Sequence, residues 1–328
     1  METPPPGCPK RMVFGPCGGV RDDGRCELAE HPCVFLDVPV VRWPDPAVQP
    51  PAPLQCPRVL VDLSVTPFDP ASVRRAVDVL APVSDGLLAG EHANRPDFPP
   101  TMFAAEVIAA GGRTWTTLAC RDRNRVVLEQ ELAGLATVGV DGVLCVTGDG
   151  RGASVRPGVT QVFDLDGVRL AALAAEVGLP VAVPESPEAP PVALRPARVV
   201  EKQRAGAQLC VLNHVSSPAR VATFVRAARA AGATLPFVAG VAVYTDEPSA
   251  RVLQRFPGLH LDGEVVERVL TAPDPREAGI EAAVAEAQAL LAIPGVDGVN
   301  LSGAGSSAGV DEGAAVKAAV AERLREVP

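Results

Sequence analysis

The feature that most constrains this chain is an alternation. Short β-rich runs recur along most of its length, each followed by an amphipathic stretch of helical period. The runs fall at Arg58–Ser64, Asp85–Leu88, Thr114–Ala119, Gly142–Thr147, Pro180–Val183, Leu209–Leu212, Phe237–Val241 and Gly298–Leu301. Helices are predicted at Pro70–Leu80, Pro100–Ala110, Arg125–Val138, Asp166–Val177, Ala197–Ala205 and Pro218–Ala231. Further ones follow at Pro248–Phe256 with Gly263–Ala272, Pro275–Leu291 and Asp311–Arg325. Several open on proline behind a capping residue, as at Asp69-Pro70 and Ser217-Pro218. Three end just before Gly139, Gly206 and Gly232, which suit a left-handed residue past the last turn. Eight strand–helix units in about 270 residues predict an α/β fold, the (β/α)8 TIM barrel. The competing arrangement, a doubly wound open sheet, would want a G-x-G-x-x-G turn after the first strand, and none is there.

The cysteines divide what precedes the barrel. Cys8, Cys17, Cys26 and Cys33 crowd into residues 1–38, with Gly15-Pro16-Cys17-Gly18-Gly19 supplying a tight backbone around one of them. Four thiolates so close in sequence predict a metal-binding module, holding zinc or an iron–sulfur cluster. Cys56, Cys120, Cys145 and Cys210 lie in apolar runs and read as small core residues. Prolines at 39, 44, 46, 50, 51, 53 and 57 mark residues 39–57 as a linker without regular structure. The barrel domain then occupies 58–328.

Composition excludes several classes. With 47% hydrophobic and 21% charged residues the chain is neither disordered nor fibrous. A formal charge of −9 argues against a nucleic-acid surface. The longest apolar stretches, such as Val138–Val146, are broken well short of the ~18 residues a membrane span needs. Met1–Cys8 is Pro-rich and has no apolar core of a signal peptide, so a cytoplasmic location is expected. Among thirty basic residues only Lys10, Lys202 and Lys317 are lysines, so a lysine here is seldom filler.

In such a barrel, chemistry gathers at the C-terminal ends of the strands. The polar residues there are Asp62, Glu91 and His92, Arg121 to Asn124, Thr147-Gly148-Asp149, Glu185, Asn213-His214, Tyr244-Thr245-Asp246 and the run Ser302–Ser307. Asp62 is the most telling, a lone carboxylate inside an apolar strand where an unpaired charge is costly. The others have bland alternatives. Asp149 could cap a turn, Arg121 and Arg123 could form solvated ion pairs, and His92 and His214 could be structural. The glycine–serine run could bind an anion through its amides or simply turn. The density of the rim favours an enzyme.

Two stretches carry a resemblance: Thr117-Leu118-Ala119-Cys120-Arg121-Asp122-Arg123-Asn124 and Val143-Leu144-Cys145-Val146-Thr147-Gly148-Asp149. With Val162-Phe163-Asp164-Leu165-Asp166 and Glu201-Lys202-Gln203-Arg204-Ala205-Gly206-Ala207 they resemble the methylenetetrahydrofolate reductase family, in the same order, from about Arg58 to Leu301. The segment from Cys17-Gly18-Gly19 through Cys26-Glu27 to Cys33 is similar to a small cysteine module that accompanies some members. The resemblance implies a TIM barrel binding FAD at its C-terminal face, reduced by NAD(P)H. It also implies reduction of 5,10-methylenetetrahydrofolate to 5-methyltetrahydrofolate in one-carbon metabolism. Asp62 and Asp149 would be catalytic, Asp62 giving the proton that opens the folate's five-membered ring. Thr117, Arg121, Asp122, Arg123, Asn124, Thr147, Gly148, Asp149, Phe163 and Lys202 would bind the flavin, Lys202 near its phosphates. Asp62, Asn213 and His214 would meet the pterin of a tetrahydrofolate derivative.

The sequence also departs from the family. Asp62 and Asn213 stand where it has glutamate and glutamine, each shorter by one methylene. Val183, Ser186 and Thr117 replace residues of its flavin loop and a histidine before the C-R-D-R-N segment. The flavin contacts are therefore more eroded than the pterin contacts. This leaves two alternatives, a flavin-free folate-dependent one-carbon or methyl transfer protein, and a metal-containing redox subunit that partners a reductase.

Overall fold

The computed structural model describes residues 4–50, 54–91, 96–150, 158–255 and 259–326. His92, Pro51, Pro53 and Phe256 lie outside the described residues. Eight parallel strands close into a barrel in sequence order. They are β1 (Val59–Leu63), β2 (Gly86–Ala89), β3 (Thr114–Ala119), β4 (Gly142–Val146), β5 (Val181–Glu185), β6 (Leu209–Leu212), β7 (Phe237–Tyr244) and β8 (Val296–Gly305). Helices α1 (Pro70–Leu80), α2 (Pro100–Ala109), α3 (Arg125–Val138), α4 (Gly167–Glu176) and α5 (Arg195–Arg204) wrap the first half. The second half carries α6 (Pro218–Ala231), α7 (Glu247–Gln254), α8 (Gly263–Leu270), α9 (Pro275–Leu291) and α10 (Val310–Glu326). The barrel predicted from the alternation is the one observed. No described helix is long and apolar enough to cross a membrane.

Two features fix what the barrel's interior can hold. Leu60, Leu88, Trp115, Leu144, Ala182, Leu209, Val211 and Val238 form one buried cluster, while the opposite strand faces pack against the helices in another. Side chains alternate along a strand, so the inward face continues from Leu60, Trp115 and Val211 to Asp62, Thr117 and Asn213. The interior is thus apolar at its base and polar at its mouth. Trp115 fills the base only because Gly142 gives way to it: a Cβ at Gly142 would stand 2.4 Å from the indole.

β7 and β8 run further than the alternation predicts. Ala242 pairs with Ser302 and Tyr244 with Gly305, so the start of the glycine–serine run is strand. The rest of that run caps the strand ends. Ser307 N–H and Ser306 Oγ donate to the Asp246 carboxylate at 2.7 and 3.0 Å, the place an anion would otherwise take.

Residues 4–50 contain turns and one isolated bridge, Arg25 to Pro32, but no helix or strand. They have little core of their own. Val13, Phe14, Val41, Trp43 and Val48 pack on Val168, Ala172 and Ala205 of α4 and the end of α5. The proline-rich part lies along α5, Trp43 N–H donating to Glu201 at 2.5 Å and Val48 N–H to the Arg204 carbonyl at 2.8 Å.

Candidate functional site

The mouth of the barrel has two sectors. In the first, Asp62 ends β1. Asn300 of β8, itself buried, donates from Nδ2 to Asp62 Oδ1 at 2.9 Å. Burial raises the Asp62 carboxyl above the usual carboxylate value, and Asn300 and Lys317 only partly oppose it. Beside it, Glu91 after β2 accepts from Ala119 N–H at 2.8 Å and pairs with Arg123 at 2.7 Å, locking β2 to β3. Burial raises Glu91 too, against the pull of Arg123. Thr117 completes the sector on the inward face of β3.

The second sector, at β4 and β5, is covered by the N-terminal residues. Lys10 is buried and donates to the Gly148 carbonyl at 2.7 Å, pairs with Glu27 and lies 5.8 Å from the Phe163 ring centroid. Glu27 in turn accepts from Gly150 N–H at 3.1 Å. Met12 sulfur takes the Thr147 hydroxyl at 3.5 Å, and Val13 N–H donates to Asp166, the N-cap of α4, at 2.9 Å. Asp149 sits among Lys10, Glu27 and Arg121, its carboxyl raised first by burial. Gly18 packs so closely that a Cβ there would be 2.6 Å from Ser186 Oγ, and Ser186 accepts from Asn213 Nδ2 at 2.7 Å.

Beneath this cover lies a buried charge cluster. Glu185, the last residue of β5, meets Arg195 at 3.2 Å, Arg198 at 3.7 Å and Lys202 at 2.8 Å. Burial pushes its carboxyl up, but the three cations more than reverse this and hold it at about 2. One carboxylate shared among three cations leaves burial to pull Lys202 and Arg198 below their ordinary values. Arg195 uses all five N–H groups: on Ala189, Pro190 and Glu185, and on the Pro16 and Cys17 carbonyls. Arg198 donates to the Phe14 carbonyl at 2.8 Å. The cluster therefore stitches the N-terminal residues to the barrel.

Several assignments change as a result. Lys202 does not reach toward a phosphate, because its ammonium is spent on Glu185 and the Pro184 carbonyl. Asn124 caps α3 by accepting from Val127 N–H at 3.0 Å. Phe163 is buried, and the Gly148 carbonyl and the Thr147 hydroxyl face Lys10 and Met12. Arg121 bonds Asp122 at 3.0 Å and the Asp149 carbonyl at 3.3 Å, and Arg123 holds Glu91. The side chains implied for FAD are thus largely engaged within the protein.

The four N-terminal cysteines do come together, around a cavity of about 20 Å³ that Lys10, Glu27 and His31 also line. That is room for a water-sized occupant. Yet among the described residues no three Cys, His, Asp or Glu side chains are placed to hold one metal ion. The Cys17 thiol instead faces Glu27 Oε1 at 3.6 Å, and burial pushes it up to about 11. Burial likewise raises Cys8 and Cys33. Cys8, Cys17, Cys26 and Cys33 thus share one cavity, without a closed ligand set among the described residues.

His214, expected to meet the pterin, is engaged within the protein. Its buried ring lies 2.6 Å from the His260 carbonyl through Nδ1 and 2.7 Å from Glu286 of α9 through Nε2. Burial alone would lower its pKa, but the bond and charge of Glu286 and the His260 carbonyl raise it above its ordinary value. The sign follows: the stabilisation is fully present below the unfolded value of ~6.5 and is lost as pH rises through the higher folded value. Thermal melting from about pH 6 to about pH 9 should show this loss. Glu286→Gln should flatten it, and an unchanged slope in that variant would rule the pair out as its source.

Sequence reading missed Asn300, Lys317, Lys10, Glu27 and the Arg195–Arg198 pair. Asn300 carried the same signal as Asp62, a polar residue in an apolar strand. Lys10 and Lys317 share the rarity that singled out Lys202, and all three lysines are buried.

Comparison with known proteins places these observations. A family model described as methylenetetrahydrofolate reductase matches residues 102–303, and one described as methylene-tetrahydrofolate reductase C terminal matches residues 3–40. Curated proteins yield no match. Among solved structures, the chain is similar to an uncharacterized protein from Clostridium thermocellum that binds two copies of 5-methyl-5,6,7,8-tetrahydrofolic acid. The TM-score is 0.60 at 10% identity, over 84% of this chain and 97% of that one. A thiamine phosphate pyrophosphorylase from Pyrococcus furiosus gives a TM-score of 0.41 at 14% identity, over 82% and 94%.

Proposed function

This chain belongs to the methylenetetrahydrofolate reductase family, and from that premise we propose that its barrel mouth binds a reduced folate and reduces the one-carbon unit the folate carries. The observation that carries the reading is Asp62, a buried carboxyl aimed into the mouth beside Asn300, raised by burial above the usual carboxylate value. A general acid needs a raised pKa near neutral pH. The binding of 5-methyltetrahydrofolic acid by the Clostridium thermocellum protein supports a folate as the ligand.

In this reading the pterin lies over Asp62, Thr117 and Asn213. One C–N bond of the methylene bridge breaks, the electron pair stays on nitrogen, and nitrogen takes the Asp62 proton. The iminium carbon then accepts a hydride and becomes the methyl group. Because the residues implied for FAD are largely engaged within the protein, some by the N-terminal segment and others by Glu185, Glu91 and the start of α3, the hydride donor we assign is a nicotinamide acting as a second substrate. Asn213, anchored on Ser186, and Asp149, set among Lys10, Glu27 and Arg121, bound the folate on the β4–β6 side.

The test is purified protein with 5,10-methylenetetrahydrofolate and NADH or NADPH, after an absorption spectrum. The expected result is folate-dependent oxidation of one nicotinamide, no flavin band, and no stimulation by added FAD. A flavin band near stoichiometry would overturn the flavin-free reading. Tight binding of 5-methyltetrahydrofolate without turnover by either nicotinamide would overturn the reductase reading and leave methyl transfer.

A further inference from the structure

We infer that Lys317 is a positioning residue for Asp62, holding its strand from behind and supplying the fixed counter-charge of its carboxylate. The inference rests on the reading of Asp62 as proton donor. Lys317 lies on α10, where its buried neighbours are Gly313, Ala314, Val316, Ala318, Val320, Ala321 and Leu324. An ammonium costs far more than an aliphatic chain at such a place. Lys317 is nonetheless 0% exposed.

Its three N–H groups have three acceptors. Nζ donates to the Asp62 carbonyl at 2.5 Å, to the Gly303 carbonyl at 3.1 Å and to Ser64 Oγ at 3.3 Å. Two of these belong to the ends of β1 and β8, the strands that carry Asp62 and Asn300. Gly303 is the pivot. At φ 97° it adopts a conformation few other residues tolerate. Its carbonyl turns to Lys317 while its N–H donates to the Asp62 side chain. The ammonium thus fixes the backbone on both sides of the carboxyl and the amide that touches it.

In the same sector Glu91 and Arg123 are paired with each other at 2.7 Å. β2 places Leu88 opposite Asp62, β8 offers the neutral Asn300 and Ser302, and β1 offers Ser64. Among the described residues, Lys317 is the charged group acting on Asp62, and Asp62 the one acting on Lys317. Burial brings Lys317 down to about 8, with Asp62 as its opposing support. When the Asp62 O–H bond breaks and its proton leaves for the folate nitrogen, the carboxylate left behind already has its partner in place. Asn300 serves both states. Nδ2 donates to the carboxylate, and Oδ1, which has no partner among the described residues, can accept from the protonated acid after a half-turn of the amide.

The experiment reads Asp62 directly, by NMR titration of protein labelled with ¹³C at the aspartate carboxyls, the resonance being identified by its loss in Asp62→Asn. In Lys317→Met, with cooperative melting retained, the Asp62 midpoint should rise by about one unit or more, tenfold in proton affinity. The alkaline limb of turnover, where the proton donor is lost, should move the same way. A folded Lys317→Met protein with the Asp62 midpoint unmoved overturns the inference. If Lys317→Met does not fold, the reciprocal measurement decides: Asp62→Asn should lower the Lys317 midpoint by a comparable amount. An unmoved lysine also overturns it. Coupling without folate turnover would sustain the counter-charge and defeat the proton-donor reading.

Discussion

Glu185→Gln is expected to cost this protein most of its stability. The carboxylate sits among Arg195, Arg198 and Lys202, none of which is more than 6% exposed. Removing one partner of a buried ion pair costs about 3–5 kcal/mol, because the other charge stays behind without compensation. Here three cations stay behind. A domain's whole stability is about 5–15 kcal/mol, so urea unfolding should show either a greatly lowered midpoint or no folded baseline. The first residues to come loose should be those held by Arg195 and Arg198, so limited proteolysis should cut near Phe14–Cys17 before it cuts the barrel. The same pair sets an acid limit. With a folded value of about 2 against an unfolded value near ~4.3, the stabilisation is complete above the unfolded value and drains away as pH falls toward the folded one. A Glu185→Gln protein melting within about 0.5 kcal/mol of the parent, the range of ordinary surface changes, would mean the cluster is not what holds this sector together.

Asp62→Asn should do the opposite, sparing the fold and removing the chemistry. Asparagine has the same shape, and its Oδ1 can still accept from Asn300 and Gly303. What it lacks is a proton to give at the moment the folate ring opens. Positioned acid–base catalysis is worth roughly 10²–10⁴ in rate, and turnover should fall by that factor while 5-methyltetrahydrofolate still binds. Near-normal turnover with a lowered melting temperature would instead make Asp62 a structural partner of Lys317.

The barrel was legible because its signals are local. Thr114–Ala119, Leu209–Leu212 and Arg125–Val138 have the bounds that periodicity assigns, the last closed by Gly139 at φ 80°. β8 was under-read because Ser302–Gly305 looks like loop and is strand only through its pairing with β7. Asp62 stood out since a lone carboxylate in an apolar strand needs a reason within six residues of itself. His214 could not be judged that way, its partner Glu286 being 72 residues off. Lys202 stood out as rare, but its neighbours were not legible. Its company is decided by Glu185 beside it and by Phe14 to Cys17 lying across Arg195 and Arg198, and no local pattern reports an approach from so far along the chain.

That approach has a consequence for the order in which the molecule is made. These residues leave the ribosome before the surfaces they lie on, α4, α5 and the end of β5, which are synthesised well over a hundred residues later. With little core of their own, they have nothing to fold onto until Arg195 and Arg198 have emerged and been turned inward. A segment translated early is thus fixed late, by a half-built barrel that already contains its binding site.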